Sequence, residues 1–210
     1  MPGVRPVPLD LSSHFNNAGI APDGRPPEGG LDGMGTAFRS QSLPAPGGTI
    51  LSQGIPFLFP DRRDSKDNIS CEAQVIPLPP STWTTLHVLG MCDWRAFEEP
   101  LRLKASDGTW AETRLGLSDA TRYGGLQYGE SAALSCPLLT PDTSIPLSSL
   151  IGSSPPEAGC ETEETRIEAG IWHQVIGLPA PRPLSALLLP DNPSMHLFAL
   201  TLAAADPVSP

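Results

Sequence analysis

The sequence has no cluster of lysine and arginine, and that absence removes a large class of partners. Thirteen basic side chains stand against 23 acidic ones, for a net charge of −10, and the densest basic stretch, "DRRDSKD" at 61–67, cancels itself. Binding to nucleic acid needs a positive footprint to neutralise phosphates, so no nucleic acid is expected as partner, and no anionic membrane surface. No apolar run reaches the length of a membrane span. The first residues, "MPGVRPVPLDLSSHF", lack the apolar core of a secretory signal. That predicts a cytoplasmic protein, or a secreted one whose leader is missing.

Familiar chemical fingerprints are absent too. There is no G-x-S-x-G, P-loop, H-E-x-x-H or dinucleotide-binding pattern. The four cysteines, Cys71, Cys92, Cys136 and Cys160, form no C-x-x-C pair, which argues against a zinc knuckle or a thioredoxin-type site. Cys136 and Cys160 bracket a loop-like segment; they pair in an oxidising compartment, or all four stay free thiols. No dense acidic run supplies the roughly six to eight oxygens calcium takes. Asp32 in "LDG" and Asp67-Asn68 in "KDNIS" are the nearest to such a run, so structural calcium is a minor alternative and no cofactor is expected. Asn68-Ile69-Ser70 is also a glycosylation sequon, meaningful only after export.

Convincing helical periodicity is missing as well, whereas turn formers are abundant: 26 prolines and 20 glycines in 210 residues. With 39% hydrophobic residues spread along the chain, this composition reads as many short strands between turns rather than as disorder. "GGTILSQGIPFLFP" (47–60) predicts a hairpin around Gln53-Gly54. "EPLRLKASDGTWAETRLGL" (99–117) predicts another around Asp107-Gly108, with Leu101, Leu103 and Ala105 on one face. "NISCEAQVIPLP" (68–79) alternates Ile69, Cys71, Ala73 and Val75 against Ser70, Glu72 and Gln74, as one strand would. "TTLHVLG" (84–90), "TRIEAGIWHQVIGL" (165–178), "PLSALLLP" (183–190) and "MHLFALTL" (195–202) complete the set. Their spacing predicts one all-β domain over 1–210, an antiparallel β-sandwich of jelly-roll type with very little helix. Two segments interrupt it: a Gly/Pro loop at 18–35 and a Ser/Pro/Glu-rich excursion at 135–165, either a lid over the sandwich mouth or a tolerated insertion.

Several blocks carry a resemblance. "VPLDLSSHFNNAGI", "GGLDGMGTAF", "GIPFLFPD", "DNISCEAQVIPLP", "LHVLG", "SDGTWAETRLGLSD", "IWHQVIGL" and "LPDNPSMHLFALTL" are similar, in this order, to jelly-roll modules attached to α-mannosidase- and α-L-fucosidase-like glycoside hydrolases. The resemblance covers about residues 7–119 and 165–203, and implies a carbohydrate-binding β-sandwich. Here no hydrolase domain accompanies it. A sugar anchor is useful chiefly when it concentrates a tethered enzyme, so the expectation shifts to a sandwich whose own pocket works on a small molecule. The class expected is a cofactor-independent cyclase, isomerase or lyase of secondary metabolism; the alternative is a non-catalytic carbohydrate-binding module.

The candidate site follows from side-chain chemistry. "CDWRAFEEP" (92–100) gathers Asp93, Trp94 and Glu98 in what reads as a rim loop, where binding groups concentrate. Asp119 closes a nearby strand, and Tyr123 and Tyr128 offer phenolic donors. In "IWHQ", Trp172 and Gln174 share one strand face and His173 takes the other. Asp93, Glu98, Asp119 and His173 are the expected catalytic groups, with Trp94, Trp172, Tyr123 and Tyr128 as ligand contacts. A carboxyl held against an indole in a partly dry pocket has its pKa raised toward neutrality, which suits proton transfer. The alternative location is the concave sheet face around Gln74 and His87. His196, opening a strand apolar on both faces with Phe198, Leu200 and Leu202 on its own side, is expected to be scaffold.

Overall fold

The computed structural model describes residues 4–21, 28–61, 66–121, 125–139, 167–179 and 183–205. Regular structure among them consists of fourteen strands and two single 3-10 turns, at Ser12–His14 and Ser40–Ser42. The large sheet runs β1 (Val4–Pro8), β14 (Asp191–Ala205), β8 (Thr85–Cys92), β12 (Ile167–Gly177), β11 (Ser131–Leu139), β3 (Ala37–Arg39) and β2 (Ile20–Ala21). A further strand, β6 (Ile69–Glu72), also pairs with β14. The small sheet runs β10 (Trp110–Leu117), β9 (Phe97–Ala105), β13 (Pro183–Leu188) and β7 (Val75–Thr82), and β4 (Thr49–Ser52) with β5 (Ile55–Leu58) forms a separate hairpin. Among the described residues all the strand-to-strand pairings are antiparallel except β2 with β3, and one isolated bridge, between Cys92 and Asp119, is also parallel. The protein is an all-β, antiparallel sandwich.

Turn chemistry places both expected hairpins. Gln53 and Gly54 both take positive φ, 51° and 78°, the signature of a tight turn that matches strand twist. At the β9–β10 turn, Gly108 has φ 87°, and the Asp107 carboxylate accepts the Thr109 N–H at 2.9 Å. Leu101, Leu103 and Ala105 of β9 are buried while Arg102 and Lys104 are exposed.

The large sheet is covered on both faces. One core joins Leu86, Val88, Leu197, Leu200 and Leu202 of the large sheet to Leu101, Leu103, Leu115 and Leu187 of the small one. A second core brings Leu89, Met91, Ile171 and Phe198 against Phe57 and Phe59 of the β4–β5 segment. Each such side chain contributes about 1.5–3 kcal/mol relative to exposure. Central strands buried on both sides must be apolar throughout, which is why β8 and β14 read as nearly unbroken hydrophobic runs.

Four expectations need correction. "NISCEAQVIPLP" is two strands in different sheets. Ala73 turns left-handed, at φ 58°, so the buried set of β7 becomes Ile76 and Leu78 while Val75 is exposed. In β14 the register shifts between Leu197 and Ala199. His196 and Phe198 therefore do not share a side with Leu200 and Leu202, which pack in the core of Met195 and Leu197. The excursion expected from 135 starts later, because 131–139 is strand β11, paired with β12 and β3; residues 140–165 lie outside those described. Finally, the rim loop after β8 is short, and Glu98 and Glu99 belong to β9.

Candidate functional site

The end of β8 and the chain after β10 are locked together. Cys92 donates its N–H to the Ser118 carbonyl at 2.9 Å, and Ala120 donates to the Cys92 carbonyl at 2.8 Å, a single parallel bridge between Cys92 and Asp119. Asp93 donates its N–H to the Ser194 carbonyl at 3.1 Å. The next residue, Trp94, sits at φ 63°, a conformation that costs a bulky side chain energy and is worth a functional question. Its indole is 65% exposed.

These turns wall a cavity of about 360 Å³ lined by Leu31, Asp32, Thr36, Met91, Cys92, Asp93, Trp94, Asp119, Ala120, Thr121 and Leu138. Apolar walls with a few convergent polar groups are the usual form of a small-molecule site. The three carboxylates differ in how far the protein has used them. Asp32 accepts the N–H groups of Met34 and Thr36 at 2.9 and 3.1 Å and the Thr36 hydroxyl at 2.5 Å, holding its own glycine-rich turn. One Asp119 oxygen accepts both the N–H and the hydroxyl of Thr121. Asp93 is the exception: its Oδ1 is buried without a hydrogen-bond partner. Burial raises its pKa from the usual 3.8 to about 6, against the pull of the Ser194 hydroxyl and with help from the charges of Asp32 and Asp119. A carboxyl with that pKa is poised to take or give a proton near neutrality. The thiol of Cys92, bonded to the Leu117 carbonyl at 3.1 Å, is pushed far up by burial and is inert as a nucleophile.

The AziU2-like beta-sandwich domain family matches residues 5–136, more than half the chain. The chain belongs to this family. Every residue lining the pocket except Leu138 falls within the matched part of the AziU2-like domain. What this family shares with the modules named above is the β-sandwich. No curated protein matches the chain.

The pocket of this AziU2-like domain unites Asp93, Trp94 and Asp119 and leaves the other candidates elsewhere. Glu98 faces solvent on β9 and pairs with Arg114 at 3.2 Å across the hairpin, a contact worth little when exposed. Trp172 is fully buried, lies over Gly170, and donates its indole N–H to the Ser118 and Asp119 carbonyls, both at 3.1 Å. It supports the pocket from behind and has no surface to offer a ligand. Tyr128 packs on Gly116, and its carbonyl accepts from the Gln174 amide at 3.0 Å; Tyr123 lies outside the described residues. Gln74 staples the crossover from β6 to β7, accepting the Glu72 N–H and donating to the Ser70 carbonyl at 2.8 and 2.7 Å.

Sequence reasoning missed a buried relay. Ser52 Oγ lies 2.9 Å from His173 Nδ1, and His173 Nε2 lies 3.0 Å from His87 Nδ1. Burial lowers the pKa of His173 to about 4 and also lowers that of His87, so both are neutral near pH 7. The relay pins the β4–β5 hairpin, with Phe57 edge-on to His173 at 5.1 Å, and none of its members lines the pocket. Only the alternation of residues in "IWHQ" hinted that His173 faces away from Trp172. The turn residues considered for calcium are also engaged by protein donors: Asp67 accepts the N–H groups of Gly19 and Ile20 at 2.9 and 3.0 Å. Asn68 is fully buried, which closes the sequon in the folded protein.

Proposed function

We propose that this protein binds an oxygenated, natural-product-like small molecule in the Asp93–Trp94 pocket and acts on it as a cofactor-independent enzyme. The observation that carries this reading is the Asp93 carboxyl, with one oxygen buried and unpartnered and its pKa raised to about 6. As carboxylate it takes a proton from a carbon next to a carbonyl; the carboxylic acid so formed returns that proton. In an α-hydroxy-ketone the anion is an enediolate; transfer of its hydroxyl proton to the neighbouring oxygen and return of the Asp93 proton to the former carbonyl carbon isomerises the substrate. Departure of a leaving group from the β-position, protonated by Asp93 as it goes, is elimination, and attack of the enolate carbon on a second carbonyl of the same molecule, whose oxygen takes the Asp93 proton, is cyclisation. Trp94 covers the ligand with its indole, the Asp119 carboxylate binds a hydroxyl, and Leu31, Met91 and Leu138 exclude water.

Proton transfer is testable before the substrate is known. In D2O, a panel of hydroxy-ketones and keto esters followed by proton NMR is expected to lose C–H signals with the wild-type protein. Asp93→Asn lowers that rate by about a hundredfold or more. No exchange above background with any compound counts against the enzyme reading.

The second reading, a non-catalytic carbohydrate-binding module, is favoured by one observation: an exposed indole beside carboxylates suits stacking on a sugar ring. Mannosides and fucosides that perturb Trp94 fluorescence, with no proton exchange in any substrate, support it.

A further inference from the structure

Three carboxylates line the pocket, those of Asp32, Asp93 and Asp119, and among the described residues no lysine, arginine or histidine joins them. None of the three forms an ion pair with a described residue. Arg95 follows Trp94 directly, yet it lies over the Phe97 ring, 4.9 Å from the centroid, and takes no part in the lining. The carboxylates act on one another: the charges of Asp32 and Asp119 both oppose ionisation of Asp93. Gathering like charges at a partly dry cavity is costly, and a counter-charge relieves it. Building its own turn accounts for Asp32, whose oxygens are taken up by Met34 and Thr36. That does not account for Asp119, which is 4% exposed. One of its oxygens serves Thr121, and the other receives no hydrogen bond among the described residues. Nor does it account for Asp93, whose Oδ1 is buried without a partner.

The rest of the lining suits an organic cation. Leu31, Met91, Ala120 and Leu138 are apolar walls, and Trp94 brings its largely exposed indole to the same cavity. The face of an indole attracts an ammonium group, whereas a hard metal ion takes oxygens alone. A cleft lined by charge of one sign concentrates ligands of the opposite sign and turns away those of its own. An ammonium is also a donor only, which matches a lining whose unused carboxylate oxygens are acceptors. Building on the pocket reading above, we infer that the substrate carries an amine, held as an ammonium by the pocket carboxylates and the Trp94 indole. The substrate class is thereby an amino-bearing carbonyl compound, such as an amino ketone or amino ester. Carboxylates and phosphates are excluded by the same charges.

The test uses three probes of one shape: cyclohexylammonium, neutral cyclohexanol and anionic cyclohexanecarboxylate. Each is titrated near neutral pH and followed by the indole N–H resonance of Trp94. The expected result is saturable binding of the ammonium, about tenfold or more tighter than the alcohol, with no response to the carboxylate. Asp119→Asn still offers Thr121 an acceptor, and in it ammonium affinity falls about tenfold while that of the alcohol holds. Glu112→Gln removes the same charge from the exposed Arg102 pair on β10 and changes neither affinity, which separates the pocket from simple attraction to the net charge of −10. Equal affinity for alcohol and ammonium overturns the inference. So does ammonium binding that Glu112→Gln weakens as much as Asp119→Asn does. Should Asp119→Asn fail to fold, the ranking of the three probes on the wild-type protein still decides. If no probe moves the Trp94 resonance, the inference falls as well. The Asp93 reading is judged apart from these outcomes, by proton exchange in neutral hydroxy-ketones with Asp93→Asn as control.

Discussion

Cys92 and Asp119 face each other across one parallel bridge, closed by the bonds from Cys92 N–H to Ser118 and from Ala120 N–H to Cys92. Parallel pairing at this point places the turn after β8 beside the turn after β10, so that Asp93 and Asp119 line the same cavity. The pocket therefore depends on backbone registry between two turns, and side chains outside it act on it by holding that registry.

Asp93 is expected to trade stability for function. Its folded pKa of about 6 exceeds the ordinary 3.8, so between those values the folded state holds more protons than the unfolded one. The contribution of this group to stability is thus lost as pH rises from 3.8 through 6. Asp93→Asn removes the cost of ionisation, and is expected to be more stable than wild type by about 1–3 kcal/mol at pH 7.5 and nearly equal to it at pH 4. Denaturant unfolding at the two pH values checks this.

Trp94→Gly relieves the left-handed backbone at φ 63°. Because the indole is largely exposed, little packing is lost, and a gain of about 1 kcal/mol is expected. Ligand affinity falls in the same variant. Thermal melting beside a fluorescence titration separates the two effects; a markedly destabilised variant would mean the indole is a packing residue.

Acid is expected to destabilise the fold through its histidines. Burial lowers His173 and His196 to about 4, so the unfolded chain protonates first, near 6.5. The stability held by the neutral rings is present above 6.5 and is lost as pH falls from 6.5 through 4, by up to about 3 kcal/mol for each ring. His173→Gln is expected to flatten the melting-temperature profile over that window, while Ser52→Ala, which leaves His173 Nδ1 unpaired, costs about 1–3 kcal/mol at neutral pH.

Gly170→Ala acts on the pocket from a distance. A Cβ there would lie 2.3 Å from the Trp172 ring and 2.9 Å from the Leu134 carbonyl, so the indole must shift. Its bonds to Ser118 and Asp119 then loosen, with a stability loss of about 1–3 kcal/mol and weaker ligand binding. Intact binding in this variant would show that Trp172 does not hold the Asp119 turn.

How far the fold was legible in the sequence varied with the local signal. The Gln53-Gly54 and Asp107-Gly108 turns announce their hairpins because positive φ needs such residues. The break at Ala73 is silent, since alanine is not a turn former and the polar–apolar alternation continues through it. The slip after Leu197 in β14 is equally hidden, because both faces of that strand are apolar and a change of phase leaves no mark. Strand β11 was obscured by Pro137 and its serines. At the site, Asp93, Trp94 and Asp119 were legible as turn residues with chemistry. Trp172 and His173 misled because a strand buried on both faces gives its aromatic and polar side chains no outlet. The walls contributed by Leu31, Asp32 and Thr36 come from a distant loop that no local pattern connects to β8.

On the proposed reading Asp93 is a proton-transfer group held partly out of water. Its most direct test is the pH titration of the Asp93 side-chain carboxyl carbon by 13C NMR in the folded protein. A midpoint near pH 6 that returns toward 3.8 on unfolding is the predicted result. A midpoint at or below the ordinary aspartate value in the folded protein would contradict the account.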